Sequence, residues 1–374
     1  MSKINLENII NNSPYFFFFL VVDKFLDINL PHLKNFEKIY LSDYPSIKQK
    51  NSGKLLSNPN VINYILKKTQ SKNLIPAIIP FKPSAKVDFI CKKYKWLNIS
   101  NPSPINRFLE DKIKFSKLCQ KFNLPVIPFS IDSFSQKNFI KYQQIYGSKL
   151  VLQTHFGWAG NSTFFGQSWD EIKNKISPKV ITKFSPFLKS SYSLLNNCCL
   201  TKFGLIQSPP ALQYTGIKPY TQNPFTTVGR QWPSMAPLKI IKNIQQITNN
   251  FSSILKEIGY KGFFGLDFIV HQNRVYLLEC NPRLTASFDF YTQIEKNLQI
   301  NPLFYFHLLE FLKINYQIDI KFEQSRFDNP KIIGSELTPK NKTNNTSKKI
   351  HFNYPLLKNP HSLSIPKDLL NEKN

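Results

Sequence analysis

The residues best suited to chemistry lie in one stretch, GFFGLDFIVHQNRVYLLECNPR, at positions 262–283. Two apolar runs flank the polar sequence HQNR, and this pattern predicts an antiparallel hairpin. Asp267 interrupts the first run and Glu279 the second, while Asn281 and Arg283 follow Glu279 at two-residue steps. Because successive side chains point to opposite faces of a strand, Glu279, Asn281 and Arg283 are expected on one face.

The position of Asp267 relative to that face depends on the length of the hairpin loop. A three-residue loop at 272–274 would put Asp267 directly opposite Glu279, whereas a two-residue loop would put the two carboxylates on opposite faces. In the first case two carboxylates and an amide oxygen converge, and such buried acids repel unless a cation joins them. Oxygen ligands of this kind suit Mg²⁺, whose remaining positions take water and phosphate oxygens. Arg283 would then face the charge that develops on a transferring phosphoryl group.

A purely structural hairpin is the alternative interpretation, with one acid exposed and the other paired with a lysine. Both acids lie within otherwise apolar runs, however, and the ordered sequence E-x-N-P-R follows. The two runs together resemble the metal-binding strand pair of the ATP-grasp superfamily, which usually reads GxxGxD/E and then E-x-N-P-R. The resemblance covers roughly residues 104–300.

That resemblance implies a nucleotide held between two α+β subdomains, with an α/β domain before them. It implies ATP-dependent ligation, in which a carboxylate becomes an acyl phosphate and is then attacked by an amine or another nucleophile. By motif position, Asp267, Glu279 and Asn281 would hold Mg²⁺, or Mn²⁺ in its place, and Arg283 would steady the transferring group. The implied substrates are a small-molecule carboxylate and an amine, and a homodimer is compatible with the family.

Two further basic residues are candidates for anion contacts. Lys112, in EDKIKFSKLCQKFNLPVIP, resembles a phosphate-contacting lysine of the superfamily, and a solvated helix lysine is the alternative. Arg230, in TTVGRQW, follows a loop rich in proline and threonine and would hold phosphate or a carboxylate, the alternative being a surface arginine. Gly204 and Gln213 fall where related ligases place a hairpin that faces the substrate, and we interpret both as structural.

The segment LVLQTHFGWAGNSTFFG at 150–166 runs from an apolar strand into a glycine-bearing turn. In the superfamily the entering strand commonly carries a lysine that contacts phosphate and adenine, and Gln153 stands there in this sequence. Backbone N–H groups in such a loop can bind an anion without a side-chain charge. Either Lys112, Arg230 and Mg²⁺ carry the charge alone, or ATP binds more weakly, or it binds without turnover. The expected nucleotide contacts are Lys112, Gln153, Gly157, Gly160, Asn161, Ser162, Thr163 and, from an adenine-contacting linker at 179–187, Lys183.

The surrounding elements predict a chain of mixed α/β and α+β class. Residues 1–103 alternate apolar runs at 16–22, 38–42, 76–80 and 96–99 with a helical stretch at 58–70, as in a small α/β domain with a mostly parallel sheet. Prolines mark a boundary near 103, and one amphipathic helix is expected over 105–122. A two-subdomain ATP-grasp fold is expected over 104–315, with a flexible lid at about 126–190 and helices at 238–258 and 302–314. The polar residues 316–374 are expected to form a disordered or loosely docked tail.

The composition disfavours several classes of protein. Of the 374 residues 41% are hydrophobic, and the formal charge of +26 comes mostly from dispersed lysines, with only five arginines, so we do not expect a nucleic-acid reader. The five cysteines are odd in number and lack CxxC spacing, which indicates no disulfide framework or zinc site and favours the cytoplasm. The apolar run at 15–22 is far shorter than the ~20 residues that cross a bilayer, so no membrane segment is expected there.

The sequence therefore predicts a cytoplasmic, Mg²⁺-dependent ATP-grasp ligase that joins a small carboxylate to an amine in an amide or peptide-like bond. One alternative is an enzyme of the biotin-carboxylase or carbamoyl-phosphate type. Another is a non-catalytic nucleotide- or nucleic-acid-binding protein, suggested by Gln153 and the charge of +26. No motif identifies the substrate.

Overall fold

The structure is a computed structural model that describes residues 4–23, 26–30, 33–49, 51–157, 162–217, 220–338 and 350–351.

The apolar run near the N-terminus forms the centre of a parallel sheet. Every residue of β1 (Tyr15–Val21) is buried, as expected for a parallel strand covered on both faces. It lies between β2 (Phe36–Tyr40) and β3 (Ile75–Pro80), and β4 (Leu97–Asn98) completes the order β2-β1-β3-β4. The helices of this part are α1 (Leu6–Asn11), α2 (Ser52–Leu56), α3 (Pro59–Gln70) and α4 (Ala85–Tyr94).

The helix predicted over 105–122 is in fact two helices, α5 (Ser103–Glu110) and α6 (Lys112–Lys121). The break is at Asp111, whose backbone is extended and whose carboxylate accepts hydrogen bonds from the N–H groups of Ile113 and Lys114. An aspartate that caps a helix in this way satisfies amides that have no partner within the helix. The apolar spacing continues across the break, which is why the sequence suggested one helix. The break makes Lys112 the first residue of α6.

A small antiparallel sheet follows, in the region where a strand-rich lid was expected. Its strands are β5 (Ser130–Ser133), β6 (Leu150–Gln153), β7 (Thr163–Gly166) and β8 (Ile181–Pro186), in the order β5-β8-β6-β7. Helices α7 (Gln136–Tyr146) and α8 (Trp169–Ile172) cover it, and the unit has its own core around Phe139, Leu152 and Phe184. The lid is therefore a separately packed layer, joined to the rest by α6 and by the end of β8.

The larger antiparallel sheet carries the hairpin with the candidate metal ligands. Its order is β14-β13-β9-β11-β12-β15-β16, with β10 paired to β9. The strands are β9 (Tyr192–Thr201), β10 (Gly204–Gln207), β11 (Ala211–Thr215), β12 (Thr227–Trp232), β13 (Gly262–His271), β14 (Arg274–Asn281), β15 (Gly334–Leu337) and β16 (Ile350–His351). Helix α9 (Leu238–Glu257) packs on one face, and α10 (Phe288–Asn297) and α11 (Leu303–Phe311) join the other face to the N-terminal sheet through contacts such as Phe19 with Phe288.

The first part of the expected tail belongs to this fold. Helix α12 (Ile320–Gln324) is followed by a 3₁₀ turn, Ser325–Asp328, and then by β15, which pairs with β12. Arg326 is fully buried and forms ion pairs with Glu295 at 2.5 Å and Glu323 at 2.7 Å. Composition could not distinguish these buried charges from solvated ones, so the boundary expected at 316 lies too early. Residues 339–349 and 352–374 lie outside the described residues.

Within the described ranges, no helix combines the length and the apolar character that would let it cross a membrane.

Candidate active site

The two acids of the hairpin are neighbours for a reason that the sequence did not reveal. The loop has only two residues, Gln272 and Asn273, both with positive φ as in a tight hairpin turn. In a regular ladder this loop length would put Asp267 and Glu279 on opposite faces. The register shifts by one residue between Asp267 and Phe268, however, so that Asp267 pairs with Glu279 and Leu278 is the extra residue of a β-bulge.

Asp267 is hydrogen-bonded to uncharged amides, whereas Glu279 is bound to a cation. The amide nitrogens of Asn281 and Gln213 each donate a hydrogen bond to Asp267 at a distance of 2.7 Å. The Lys112 ammonium donates to Glu279 and forms an ion pair with it. Gln213, which we interpreted as structural, is thus part of the site.

The electrostatics of the pair favour a bound cation. Burial, and then the charge of Glu279, raise the pKa of Asp267 above its ordinary value. Burial would also raise the pKa of Glu279, but the Lys112 ammonium outweighs it and the pKa lies below its ordinary value. Two adjacent carboxylates, of which only one has a nearby ammonium partner, are stabilised in the doubly ionised form by a divalent cation.

Asn281 fits the same cation less directly. Its amide oxygen accepts a hydrogen bond from Arg283 at 2.9 Å, while its amide nitrogen faces Asp267. The amide must rotate before its oxygen can join the two carboxylates. Among the described residues no cluster of three His, Cys, Asp or Glu side chains is close enough to hold a metal, so a metal here depends on the Asp267–Glu279 pair together with oxygens from a ligand.

Arg283 is positioned by a network that reaches the N-terminal domain. Its Nε donates to Glu110 at 3.0 Å, and the other oxygen of Glu110 pairs with Lys82 at 2.6 Å. Lys82 follows β3, at the carboxyl edge of the parallel sheet, where open α/β sheets bind ligands. Sequence reasoning missed both partners. Glu110 could have been identified, because it directly precedes Asp111 and Lys112 in the sequence. No motif surrounds Lys82.

A cavity of about 540 Å³ lies between the lid, the large sheet and the N-terminal domain. It is lined by ten of the predicted site residues: Lys112, Gln153, Gly157, Thr163, Lys183, Arg230, Asp267, Glu279, Asn281 and Arg283. Ser162 is buried beside it, and its hydroxyl has no hydrogen-bond partner within the described ranges. Gly160 and Asn161 lie outside the described residues.

The base of the lid loop is fixed to the start of α6. The imidazole Nδ1 of His155 lies 2.8 Å from the carboxylate of Asp111, and the carbonyl of His155 accepts from the N–H of Lys112 at 2.9 Å. A Cβ added to Gly157 would lie 2.3 Å from the Cβ of Ser162, so only glycine allows the two ends of the loop this close. His155 therefore helps to set the position of the loop relative to Lys112.

A row of polar side chains crosses the large sheet toward the two acids. Arg230 pairs in register with Gln213 on one side and with Glu336 on the other. The Arg230–Glu336 ion pair measures 2.6 Å and is almost fully buried. Gln213 donates to Asp267, so the row runs Glu336, Arg230, Gln213, Asp267, Glu279. Glu336 lies in the segment that we expected to be a tail, which is why it was missed.

The sequence of the central part matches a known family. Residues 109–287 match the family model described as an ATP-grasp domain. The carbamoyl phosphate synthase large chain of Pasteurella multocida is 22% identical over 183 residues, which are 48% of this chain and 17% of that protein. The arginine-specific large chain of Halalkalibacterium halodurans is 18% identical over 275 residues, 70% of this chain and 25% of that protein. The chain thus spans a quarter or less of the length of these relatives.

Solved structures share the fold at low sequence identity. The biotin carboxylase domain of the Hydrogenobacter thermophilus 2-oxoglutarate carboxylase, in complex with MgADP, ADP and bicarbonate, aligns with a TM-score of 0.57 and 12% identity over 86% of this chain and 74% of that one. The N5-carboxyaminoimidazole synthetase of Staphylococcus aureus, in complex with ADP, aligns with a TM-score of 0.54 and 12% identity over 80% and 78%. The family match at residues 109–287 bears out the predicted resemblance to the ATP-grasp superfamily, and these structures confirm the predicted fold class.

Proposed function

Because the chain contains an ATP-grasp domain, we propose that it is an ATP-dependent ligase that activates a carboxylate as an acyl phosphate and joins it to an amine. The observation that carries this proposal is the Asp267–Glu279 pair, which lies with Lys112 and Arg283 in one cavity between the lid and the large sheet. In the first step a carboxylate oxygen attacks the γ-phosphorus and ADP leaves. The amine then attacks the acyl carbon, phosphate leaves, and the amine proton passes to solvent or phosphate.

Asp267 and Glu279 are proposed to hold Mg²⁺ or Mn²⁺, with Asn281 as a further ligand after its amide rotates. The cation would neutralise charge on the β- and γ-phosphates during transfer. The acids fit this role because they are adjacent and because only Glu279 has a lysine partner in this structure. Binding the cation would release Lys112 from Glu279 and make its ammonium available to phosphate.

The nucleotide is proposed to bind between β6 and β8 of the lid and the β14 strand. Val151, Ile127 and Leu277 give that part of the cavity an apolar wall suited to a nucleobase. Gln153, Gly157 and Thr163 line the cavity on the lid side, and the proposed loop contacts extend to Ser162, Gly160 and Asn161. The lid would exclude water from the acyl phosphate, which water would otherwise hydrolyse.

Arg283 and Arg230 are the proposed catalytic cations. Arg283 lies beside Asn281 and Glu110, close to where the transferring phosphoryl group would lie. Arg230 lines the cavity farther along the polar row, where it would bind the carboxylate substrate. Lys82 brings a third cation from the N-terminal domain to the same side of the cavity, which suits an anionic or polar acceptor substrate.

A second candidate reaction uses bicarbonate as the acid. It is suggested by the bicarbonate in the biotin carboxylase complex and by the carbamoyl phosphate synthases among the relatives. Bicarbonate carries the same carboxylate group and would give carboxyphosphate by the same first step. Location in the cytoplasm is also proposed, because all five cysteines are free and buried. Homodimerisation is proposed only by analogy with the carboxylase dimer and is tested by solution mass.

The test is a screen for ADP release. The purified chain is incubated with Mg·ATP and pools of carboxylates and amines, and separately with bicarbonate, and products are identified by mass. Acid-dependent ADP release that disappears in Asn281→Ala and persists in the exposed-acid control Asp170→Asn is the expected result. If the wild-type chain binds neither ATP nor ADP, the proposed function is wrong.

A further inference from the structure

We propose that Lys183, on the strand next to Gln153, supplies the cation for the nucleotide's phosphates that position 153 lacks. Two ammonium groups from different elements, Lys112 and Lys183, would then bind the polyphosphate. The inference rests on the proposed function in one respect, namely that the ligand of the cavity is a nucleoside polyphosphate.

The register of the lid sheet places the two positions side by side. Gln153 of β6 pairs directly with Lys183 of the antiparallel strand β8. Directly opposed residues lie on the same face with their Cβ atoms about 5 Å apart. Both side chains line the cavity. A charge moved from position 153 to position 183 therefore stays on the same face of the same sheet.

The surroundings of Lys183 place its ammonium near the metal-binding end of the cavity. Its Nζ donates to the hydroxyl of Ser116 at 3.0 Å, and that hydroxyl donates to the carbonyl of Lys112 at 2.8 Å. Ser116 lies one helical turn after Lys112 on α6. The ammonium is close enough to Lys112 and Glu279 to interact with both electrostatically. The Lys183 charge is thus anchored on the helical turn that presents Lys112.

Lys183 lacks the acidic partner that the other cations lining the cavity and the buried Arg326 have. Lys112, Arg230, Arg283 and Arg326 each form an ion pair with a glutamate. Among the described residues, no carboxylate forms an ion pair with Lys183, although its side chain is 7% exposed. The Lys183 ammonium has one neutral hydrogen-bond acceptor and lies 5.8 Å from the ring centre of Phe129, and burying a charge with these neutral partners alone is unfavourable. An anionic ligand in the cavity would supply the missing partner of this ammonium and would explain why a lysine is buried there.

Burial and the charge of Lys112 also lower the pKa of Lys183 to about 7. The free protein thus holds this charge weakly near neutral pH, and a bound polyanion would stabilise it.

The alternative role for Lys183 is contact with the base or packing alone, and ligands of increasing charge separate these roles. Binding of adenosine, AMP and ADP with Mg²⁺ is measured by calorimetry for the wild type and for Lys183→Met. Loss of a charge-assisted contact should weaken ADP binding about tenfold or more, with AMP affected less and adenosine little changed. Lys189→Met, an exposed lysine just beyond β8, is the matched control and should bind all three ligands like the wild type.

A double variant that moves the lysine from position 183 to position 153 tests whether the two positions are equivalent. Lys183→Gln alone should weaken ADP binding, and adding Gln153→Lys should restore most of it. Melting of each variant without ligand is measured as well, and Lys183→Met should melt no lower than the wild type, because it removes a buried charge without an acidic partner.

Three outcomes would overturn the inference. Equal losses for adenosine and ADP would assign Lys183 to the base. Unchanged ADP binding in Lys183→Met would leave it a packing role. Failure of the double variant to regain affinity, with a wild-type melting curve, would show that the two positions are not equivalent. In each of these cases wild-type ADP binding keeps the proposed function intact, whereas a wild type that binds none of the ligands would contradict both.

Discussion

Asp267 lies opposite Glu279 on paired strands, although only two residues join those strands. The bulge at Leu278 makes this possible, and it places two acids side by side in a cavity wall. Like charges that face each other across a sheet are destabilising without a cation. In the free protein part of this repulsion is relieved by Lys112 at Glu279 and by the raised pKa of Asp267.

Asp267→Asn should separate stability from ligand binding. The free energy of unfolding without ligand should change by less than about 1 kcal/mol, because relief of the repulsion offsets the weakened hydrogen bonds from Asn281 and Gln213. Stabilisation by MgADP, expected at about 3–4 kcal/mol in the wild type at a hundredfold to thousandfold excess over Kd, should fall by at least half. Urea unfolding with and without MgADP measures both quantities. Asp170→Asn, on the exposed lid surface, is the control, and full MgADP stabilisation of Asp267→Asn would contradict the metal assignment.

The acids themselves were predictable from sequence, but their shared face was not. An Asp and a Glu in apolar runs, followed by E-x-N-P-R, give a local chemical pattern that does not depend on the rest of the fold. The face on which Asp267 lies depends on a one-residue register shift, which strand alternation cannot reveal. The helix break at Asp111 was not predictable either. The apolar spacing continues unchanged across the break, although Asp111 ends one helix and caps the next.

Long-range partners were beyond sequence reasoning for a different reason. Lys82 and Glu336 contribute to the site only because the sheets bring distant segments together, and neither has a local pattern. The sequence shows that Gln153 replaces the usual lysine of the superfamily. Which residue of β8 lies beside Gln153 depends on the order of the strands. Strand order in an antiparallel lid depends on tertiary packing.

Lys183 should give the protein a measurable pH signature. Its folded-state pKa is lowered to about 7 from an ordinary value of 10.5, so above pH 7 the folded form loses a proton that the unfolded form keeps. Stability from this group therefore rises with pH between about 7 and 10.5, with a slope of at most about 1.4 kcal/mol per pH unit. The stability advantage of Lys183→Met over the wild type should shrink across that window. Chemical unfolding at several pH values checks this, and a constant difference would contradict the lowered pKa.

Arg326 should be essential to the ordered C-terminal segment. It lies between Glu295 and Glu323, and all three side chains are almost inaccessible to solvent. Arg326→Met would leave two buried carboxylates without their cation and should destabilise the protein by about 3–5 kcal/mol. Burial raises the pKa of Glu295 to about 8, so the loss should be largest above pH 8, where this carboxyl is ionised, and smaller at neutral and acidic pH, where it is protonated. Urea unfolding measures the change, Lys331→Met on the exposed part of the segment is the control, and a loss below about 1 kcal/mol would contradict the role.

The polar row across the large sheet predicts that Glu336 affects the proposed metal site, although Glu336 does not line the cavity. Glu336 neutralises Arg230, and Arg230 in turn lowers the pKa of Asp267 through its charge. In Glu336→Gln the Arg230 charge is no longer balanced, so it should oppose a divalent cation at Asp267.

The measured quantity is the Mg²⁺ concentration that gives half-maximal stabilisation by ADP. It should rise several-fold in Glu336→Gln. In the double variant Glu336→Gln with Arg230→Gln it should return toward the wild-type value. The same variants form a double-mutant cycle, in which a buried pair should show a coupling of at least about 1 kcal/mol in unfolding free energy. The Mg²⁺ midpoint distinguishes this role from simple support of β15, because a structural role would lower stability and leave the midpoint unchanged. Additive effects of the two substitutions would mean that Glu336 does not act through Arg230.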